Sequence, residues 1–162
     1  MHAVAEGAHL LGVSRSHQEP YREIAAACGV SDRVTLLPPT NQVERYYGAA
    51  DALVLPTPYD AFGMVLTEAM ACGLPVITTP MAGAAELLTD GVHGFLVASP
   101  TDTDGLAAAM RTLADDESTR SRMGAAAASL MREYSWDHVA KQTLDVYYSH
   151  LARRRAGELV VN

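Results

Sequence analysis

Apolar and polar positions along this chain alternate between short β-type runs and helical stripes. Apolar runs at residues 8–13 and 33–37 predict strands, and a helix from about Pro20 to Cys28, stopped by Gly29, lies between them. A short helix over residues 42–49 leads into DALVLPT, Asp51 to Thr57, which reads as a buried strand ending in a Pro-rich loop. The next helix runs from Met64 to Cys72, where Gly73 offers a left-handed stop and Pro75 discourages continuation before the β-prone Val76 and Ile77. A strand at 75–78, a helix at 84–89 and a strand at 94–97 continue the alternation. Elements in βαβ order predict an α/β fold, a single Rossmann-like unit with a parallel β-sheet flanked by helices.

From Asp102 the pattern turns helical. Leu106, Ala109, Met110 and Leu113 form one apolar stripe, and Met123, Ala126, Ala127 and Leu130 form another, both read as core. Ser135 can cap a last helix whose Val139, Leu144, Tyr147 and Leu151 lie mostly on one side. The expected division is a Rossmann-like core over about 8–114 and C-terminal helices over about 116–152. With 162 residues, the chain is long enough for one such unit and its core.

A net charge of −7 leaves no basic stripe for nucleic acid and disfavours generic polyanion binding. The run Arg153, Arg154 and Arg155 reads as the C-terminal end of a helix, complementing its dipole, in preference to an anchor on an anionic membrane. No apolar run approaches the roughly 20 residues that span a bilayer, and the first residues lack a signal-peptide arrangement, so a cytoplasmic location is expected. Cys28 and Cys72 have no partner at metal or redox spacing and read as buried thiols. The six histidines are scattered, with His93 in a GVHG turn, and no metal site is expected.

The chemistry concentrates between Tyr59 and Ile77, YDAFGMVLTEAMACGLPVI. A helix beginning at Gly63 after a parallel strand starts at the sheet's carboxyl edge, where open α/β folds bind ligands. Free amides around Gly63, Met64 and Val65, with the positive end of the helix dipole, favour a phosphate or sugar oxygens. Glu68 is the only charged residue between Phe62 and Ile77. From spacing alone it is either a carboxylate that accepts two hydrogen bonds from a ribose diol or the solvated position of an amphipathic helix. The Met81 to Glu86 loop is equally open: Gly83 permits close backbone approach and a helix near Ala84 offers further donors, or the segment is an ordinary strand-to-helix turn. Arg15, at the end of the first predicted strand, is either a phosphate ligand or an exposed loop arginine.

Asp60, Phe62, Gly63, Glu68, Ala69, Met70, Ala71, Gly73, Pro75 and Val76 resemble the E-x7-E region of the retaining GT-B glycosyltransferases of family 4, the glycosyl transferases group 1. The similarity continues in register through RVTLLPPTNQVERYYGAADALVLPT before this region and AGAAELLTDGVHGFLVASPTD after it, and spans most of residues 8–150. The YDAFG variant is similar to the branch with lipopolysaccharide-core and related transferases. The resemblance implies that Glu68 binds the nucleotide ribose, that Asp60 faces hydroxyls of the donor sugar, and that Phe62, Gly63 and Met64 present backbone to sugar and diphosphate. The family more often has Glu where this chain has Asp60. It also implies that Asp60 and Glu68, the candidate catalytic carboxylates, do not act as an acid/nucleophile pair of the glycosidase kind.

A complete GT-B enzyme closes its active site between two Rossmann-like domains, so the resemblance implies an N-terminally truncated, donor-binding half, inactive alone. The family's basic Arg and Lys pair lies upstream of the matching region and has no counterpart here. The implied activity is transfer, with retention and without a metal or cofactor, of a sugar from a nucleotide-sugar to a glycan, lipid-linked or other hydroxyl acceptor. The implied partners are the nucleotide-sugar and the missing N-terminal domain, from the same gene or a separate subunit. Membrane association would come only through acceptor or partner, peripherally at the inner membrane. The alternative is a non-catalytic sugar-nucleotide-binding or scaffold domain; an epimerase or phosphorylase shares the fold but matches the FG-x4-EAMACG-x-PV run poorly.

Overall fold

In the computed structural model, which describes residues 7–15 and 17–156, strands and helices alternate as the pattern predicts. The signal-peptide reading concerns the first six residues, which lie outside the described ones. The strands are β1 (Leu10–Val13), β2 (Val34–Leu37), β3 (Leu53–Leu55), β4 (Val76–Thr78) and β5 (Gly94–Leu96), and every pairing among them is parallel. The helices are α1 (Glu19–Ala27), α2 (Glu44–Tyr47), α3 (Met64–Ala71), α4 (Thr103–Asp115), α5 (Glu117–Arg132) and α6 (Trp136–Arg155).

Hydrogen bonding divides the expected sheet in two. β1 pairs only with β2, while β3, β4 and β5 form a separate three-stranded sheet with β4 in the middle. The burial of the two parts differs. All three residues of β4 are buried, whereas β1 has none buried and its first two residues are exposed. Because β4 is covered on both faces, successive side chains feed opposite cores. Val76 packs with Leu66, Ala69 and Met70 of α3 and with Ala127 and Met131 of α5. Ile77 packs with Ala109 and Leu113 of α4 and Met123 of α5. The two predicted stripes of α4 and α5 are therefore core surfaces. Full burial of Met70 and Leu66, at about 1.5–3 kcal/mol each, ties α3 to the sheet.

Three expectations change. The helix predicted at 84–89 is a 3-10 turn over Gly83–Leu87, because three successive amides there bond outward or to the i−3 carbonyl. Cys28 is half-buried and Cys72 exposed, each capping the end of a helix instead of filling the core. The apolar side of α6 exists but is not covered: Leu144 and Tyr147 are exposed, and no residue of α6 is buried.

The caps explain the boundaries. Ser135 accepts from the His138 amide at the start of α6, as its position predicted, and Arg153, Arg154 and Arg155 close the last turn. Cys72 is followed by Gly73 at φ +83°, and the Leu74 amide donates to the Ala69 carbonyl, which stops α3 within one residue of the predicted end.

Asp116 caps α5, and the amide of Thr119 together with the hydroxyl of Ser118 holds its carboxyl at about 2, below the ordinary 3.8. The folded value is the lower one, so the charged cap helps above pH 4 and its help fades as acidity increases towards pH 2. Asp116→Asn is expected to melt below the parent at pH 5, with the gap closing as pH falls through that window. A gap that stays constant between pH 5 and pH 2 would contradict this.

Candidate functional site

The loop after β3 is built by pairing beyond the strand ends. Thr78 and Thr79 are fully buried, and their hydroxyls donate to the carbonyls of Leu55 at 2.9 Å and Thr57 at 2.6 Å. These bonds satisfy two buried polar groups and carry the β3–β4 alignment into the loops. Two residues further on, the Asp60 amide donates to the Met81 carbonyl at 3.2 Å and the Gly83 amide to the Asp60 carbonyl at 3.0 Å. The loops following β3 and β4 are thus zipped together at the carboxyl edge of the sheet.

Within this frame Asp60 turns its own loop: its Oδ1 accepts from the Phe62 amide at 3.1 Å. Gly63 then adopts φ +83°, ψ 55°, a left-handed conformation from which α3 starts. It is buried, and a Cβ there would lie 3.2 Å from Leu66 Cδ1 and 3.7 Å from the Asp60 carboxyl carbon. Among the described residues, the amides of Gly63, Met64 and Val65 have no hydrogen-bond partner, because the four first amides of a helix have no carbonyl behind them. The side chains of Phe62, Met64 and Val65 are exposed. What this edge offers a ligand is therefore backbone N–H, helix dipole and carboxylate.

Gly83 belongs to the same edge but in a different way. A Cβ at this position would collide with the Ala61 carbonyl and lie 3.1 Å from Phe62 Cα. The close approach that Gly83 permits is between the two loops. The further donors anticipated near Ala84 are spent, since the Ala84 amide donates to Phe62 at 2.5 Å and the Ala85 amide to Ala82 at 2.9 Å.

Glu68 stands one turn into α3, half-buried, and its Oε2 accepts a hydrogen bond from the Tyr47 hydroxyl at 3.0 Å. Tyr47 is 8% exposed and packs in the core with Leu66 and Met70. Burial, and then the carboxylate, push its phenol well above the ordinary tyrosine range, so it stays a protonated donor. Glu68 is thus a half-exposed carboxylate with one oxygen held by a buried partner.

Asp60, Phe62, Gly63, Met64, Val65 and Gly83 are brought together by direct bonds and contacts, with Glu68 on the helix they start. Arg15 is not among them. It is exposed in the loop after β1, on the separate two-stranded sheet, and makes no hydrogen bond or ion pair among the described residues. Tyr47, Thr78 and Thr79 are the contributors that sequence reasoning missed. The helix at 42–49 was legible, but nothing in the adjacent Tyr46 and Tyr47 tells which ring turns inward. His93 takes a loop role, its Nδ1 accepting from the Thr89 amide at 3.0 Å.

A parallel α/β sheet with an amide-rich helix start and two carboxylates at its carboxyl edge defines a ligand-binding fold of the Rossmann type. Residues 8–130 match the family model for glycosyl transferases group 1, and the chain belongs to that family. The D-inositol 3-phosphate glycosyltransferase of Xylanimonas cellulosilytica is 35% identical over 152 residues, covering 91% of this chain and 36% of the relative. Among solved structures, WaaG, a glycosyltransferase involved in lipopolysaccharide biosynthesis, superposes with a TM-score of 0.75 at 27% identity, covering 80% of this chain and 36% of WaaG. Anabaena HepE in complex with UDP and glucose superposes with a TM-score of 0.72 at 26% identity, covering 86% of this chain and 40% of HepE. The chain spans 28–36% of the length of the curated relatives it matches.

Proposed function

We propose that this chain is the donor-binding part of a retaining glycosyltransferase that moves a sugar from a nucleotide-sugar to a hydroxyl acceptor. The observation that carries the reading is the start of α3, where free amides of Gly63, Met64 and Val65 face the same edge as Asp60 and lead to the oriented Glu68. In this assignment the diphosphate meets the amides, the ribose diol donates to Glu68, and Asp60 and the backbone near Phe62 meet the sugar. The bond between the anomeric carbon and the diphosphate oxygen breaks, the acceptor oxygen bonds to the same face, and the hydroxyl proton passes to the leaving diphosphate. Position and fixed dipoles supply the catalysis, without a metal or cofactor. Arg15, exposed in the loop after β1, is given no role in this assignment.

The family membership and the resemblance to a UDP-bound neighbour support a nucleoside diphosphate as ligand. Because the chain covers 36% of the Xylanimonas relative, the acceptor side is assigned to the remaining part, as an N-terminal GT-B domain. Nucleotide-sugars and two free cysteines agree with a cytoplasmic location. Among the described residues no helix is long and apolar enough to cross a membrane. A second reading, a sugar-nucleotide-binding scaffold without turnover, would use the same donor edge. Measuring transfer in the presence of an N-terminal GT-B domain separates them, since only the first reading gives sugar transfer.

Thermal melts with UDP, GDP and ADP and their glucose or mannose conjugates test the site. A ligand at about 100 times its dissociation constant should add about 2.7 kcal/mol. Asp60→Ala is expected to leave the free nucleotide's shift nearly intact and to weaken the sugar conjugate about tenfold, as for the loss of one hydrogen bond to a charged group. Equal losses for both ligands would contradict the role given to Asp60, and no shift with any of them would contradict the donor site.

A further inference from the structure

The Tyr47–Glu68 hydrogen bond joins two elements that the donor site otherwise leaves unrelated. α2 is a single turn, and its last residue sends a ring into the core under α3, where its hydroxyl donates to Glu68 Oε2. We propose that Tyr47 is a positioning residue of the donor site, fixing the Glu68 carboxylate in the orientation that meets the ribose diol. The inference rests on the reading of Glu68 as the ribose ligand.

The argument is one of geometry and charge. A glutamate on a helix surface has three rotatable bonds and samples several orientations, and ordering it on binding costs affinity. Tyr47 removes that cost in advance. Its ring is locked by burial, with only two side-chain torsions to fix, so the hydroxyl is a stationary donor. With Oε2 engaged at 3.0 Å, the carboxylate is restrained, and Oε1 has no partner among the described residues. The kind of donor matters as well. A hydroxyl is neutral, so Glu68 keeps its full negative charge for the ligand, whereas an arginine at this point would neutralise it and compete with the diol. An ordinary phenol is already protonated at neutral pH, and burial and then the carboxylate push this one further up, so the donor is present. A tyrosine that merely parks its hydroxyl on the nearest acceptor would show the same distance, so the test must read the ligand's ribose and not the stability of the fold.

The experiment measures, on this chain, the affinity of UDP, with GDP and ADP in parallel, and of the 2′,3′-dideoxy counterpart of each. The variants are Tyr47→Phe, Glu68→Ala and the two combined. Phe keeps every ring carbon in the core, and melting curves recorded on the same samples confirm that each variant is folded. Tyr47→Phe is expected to weaken the ribonucleotide about tenfold and to leave the dideoxy ligand unchanged. In the Glu68→Ala background it is expected to have no further effect. If Tyr47→Phe alone fails to fold, Glu68→Gln alone and combined with Tyr47→Phe replace the series, since a neutral amide tolerates the loss of its partner. The expected result is then the same selective loss for the ribonucleotide. Equal weakening of both ligands by Tyr47→Phe, or no weakening of either, while Glu68→Ala selectively weakens the ribonucleotide, would overturn the inference and leave the donor site standing. Loss of discrimination in neither Glu68→Ala nor Tyr47→Phe would overturn both.

Discussion

Glu68→Ala is expected to weaken nucleoside diphosphate binding about a hundredfold, on the order of 3 kcal/mol, while the chain stays folded. A carboxylate that accepts two hydroxyl hydrogen bonds from a diol contributes about 1.5 kcal/mol through each, and alanine removes both. The fold should suffer little, because Glu68 is half-exposed on the surface of α3. Among the described residues the one partner of its carboxylate is the Tyr47 hydroxyl, and leaving that group without an acceptor costs about 1 kcal/mol, a few degrees of melting temperature. Isothermal titration calorimetry with UDP, GDP and ADP reads the first number and a melting curve the second. Unchanged affinity would return Glu68 to the role of a surface residue whose purpose is to satisfy Tyr47.

Gly94→Ala is expected to be the most damaging small substitution for stability. Gly94 opens β5 opposite Val76 of β4, at φ +149°, a conformation that residues with a Cβ rarely adopt. A Cβ placed there falls on the backbone of Val76, at the centre of the sheet and fully buried. Backbone at such a dihedral costs about 1–3 kcal/mol and displacing a packed strand a similar amount, so a total of about 4 kcal/mol is expected. For a chain of this size that is on the order of 10 °C. Because β4 holds Thr78 and Thr79 against the site loop, nucleotide binding should fall together with the fold, unlike in Glu68→Ala. A melting temperature within about 2 °C of the parent would show that the strand pair accommodates the methyl group.

The residues that carry local rules were legible in the sequence. Gly73 with Pro75 fixed the end of α3, Ser135 the start of α6, and the stripes of α4 and α5 the two cores, because each depends on neighbours within a few positions. The resemblance gave the family, and the match over residues 8–130 bears it out. What escaped depends on distant parts of the chain. The split of the sheet depends on which strands lie close enough to pair, and strand patterning carries no partner label. The 3-10 turn after β4 arises because Asp60 and Phe62 capture the amides of Gly83 and Ala84. Glu68 was singled out by its isolation among apolar residues, whereas the Tyr47 that holds it looks, in the sequence, like half of an aromatic doublet.

The division of the strands also means that the chain has no single resistance to opening. Around β4 the backbone is sealed by two cores, while the described residues up to Leu37 have only Ala25 and Val30 buried. Amide deuterium uptake should therefore be graded, with protons of β1 and β2 replaced through small local openings and those of β4 only when the whole sheet comes apart. A protease at low concentration would find the first segment long before the second. The edge proposed for the donor, built on β3, β4 and α3, sits on the slowly exchanging side, so clipping of the first segment and loss of that edge are separable events.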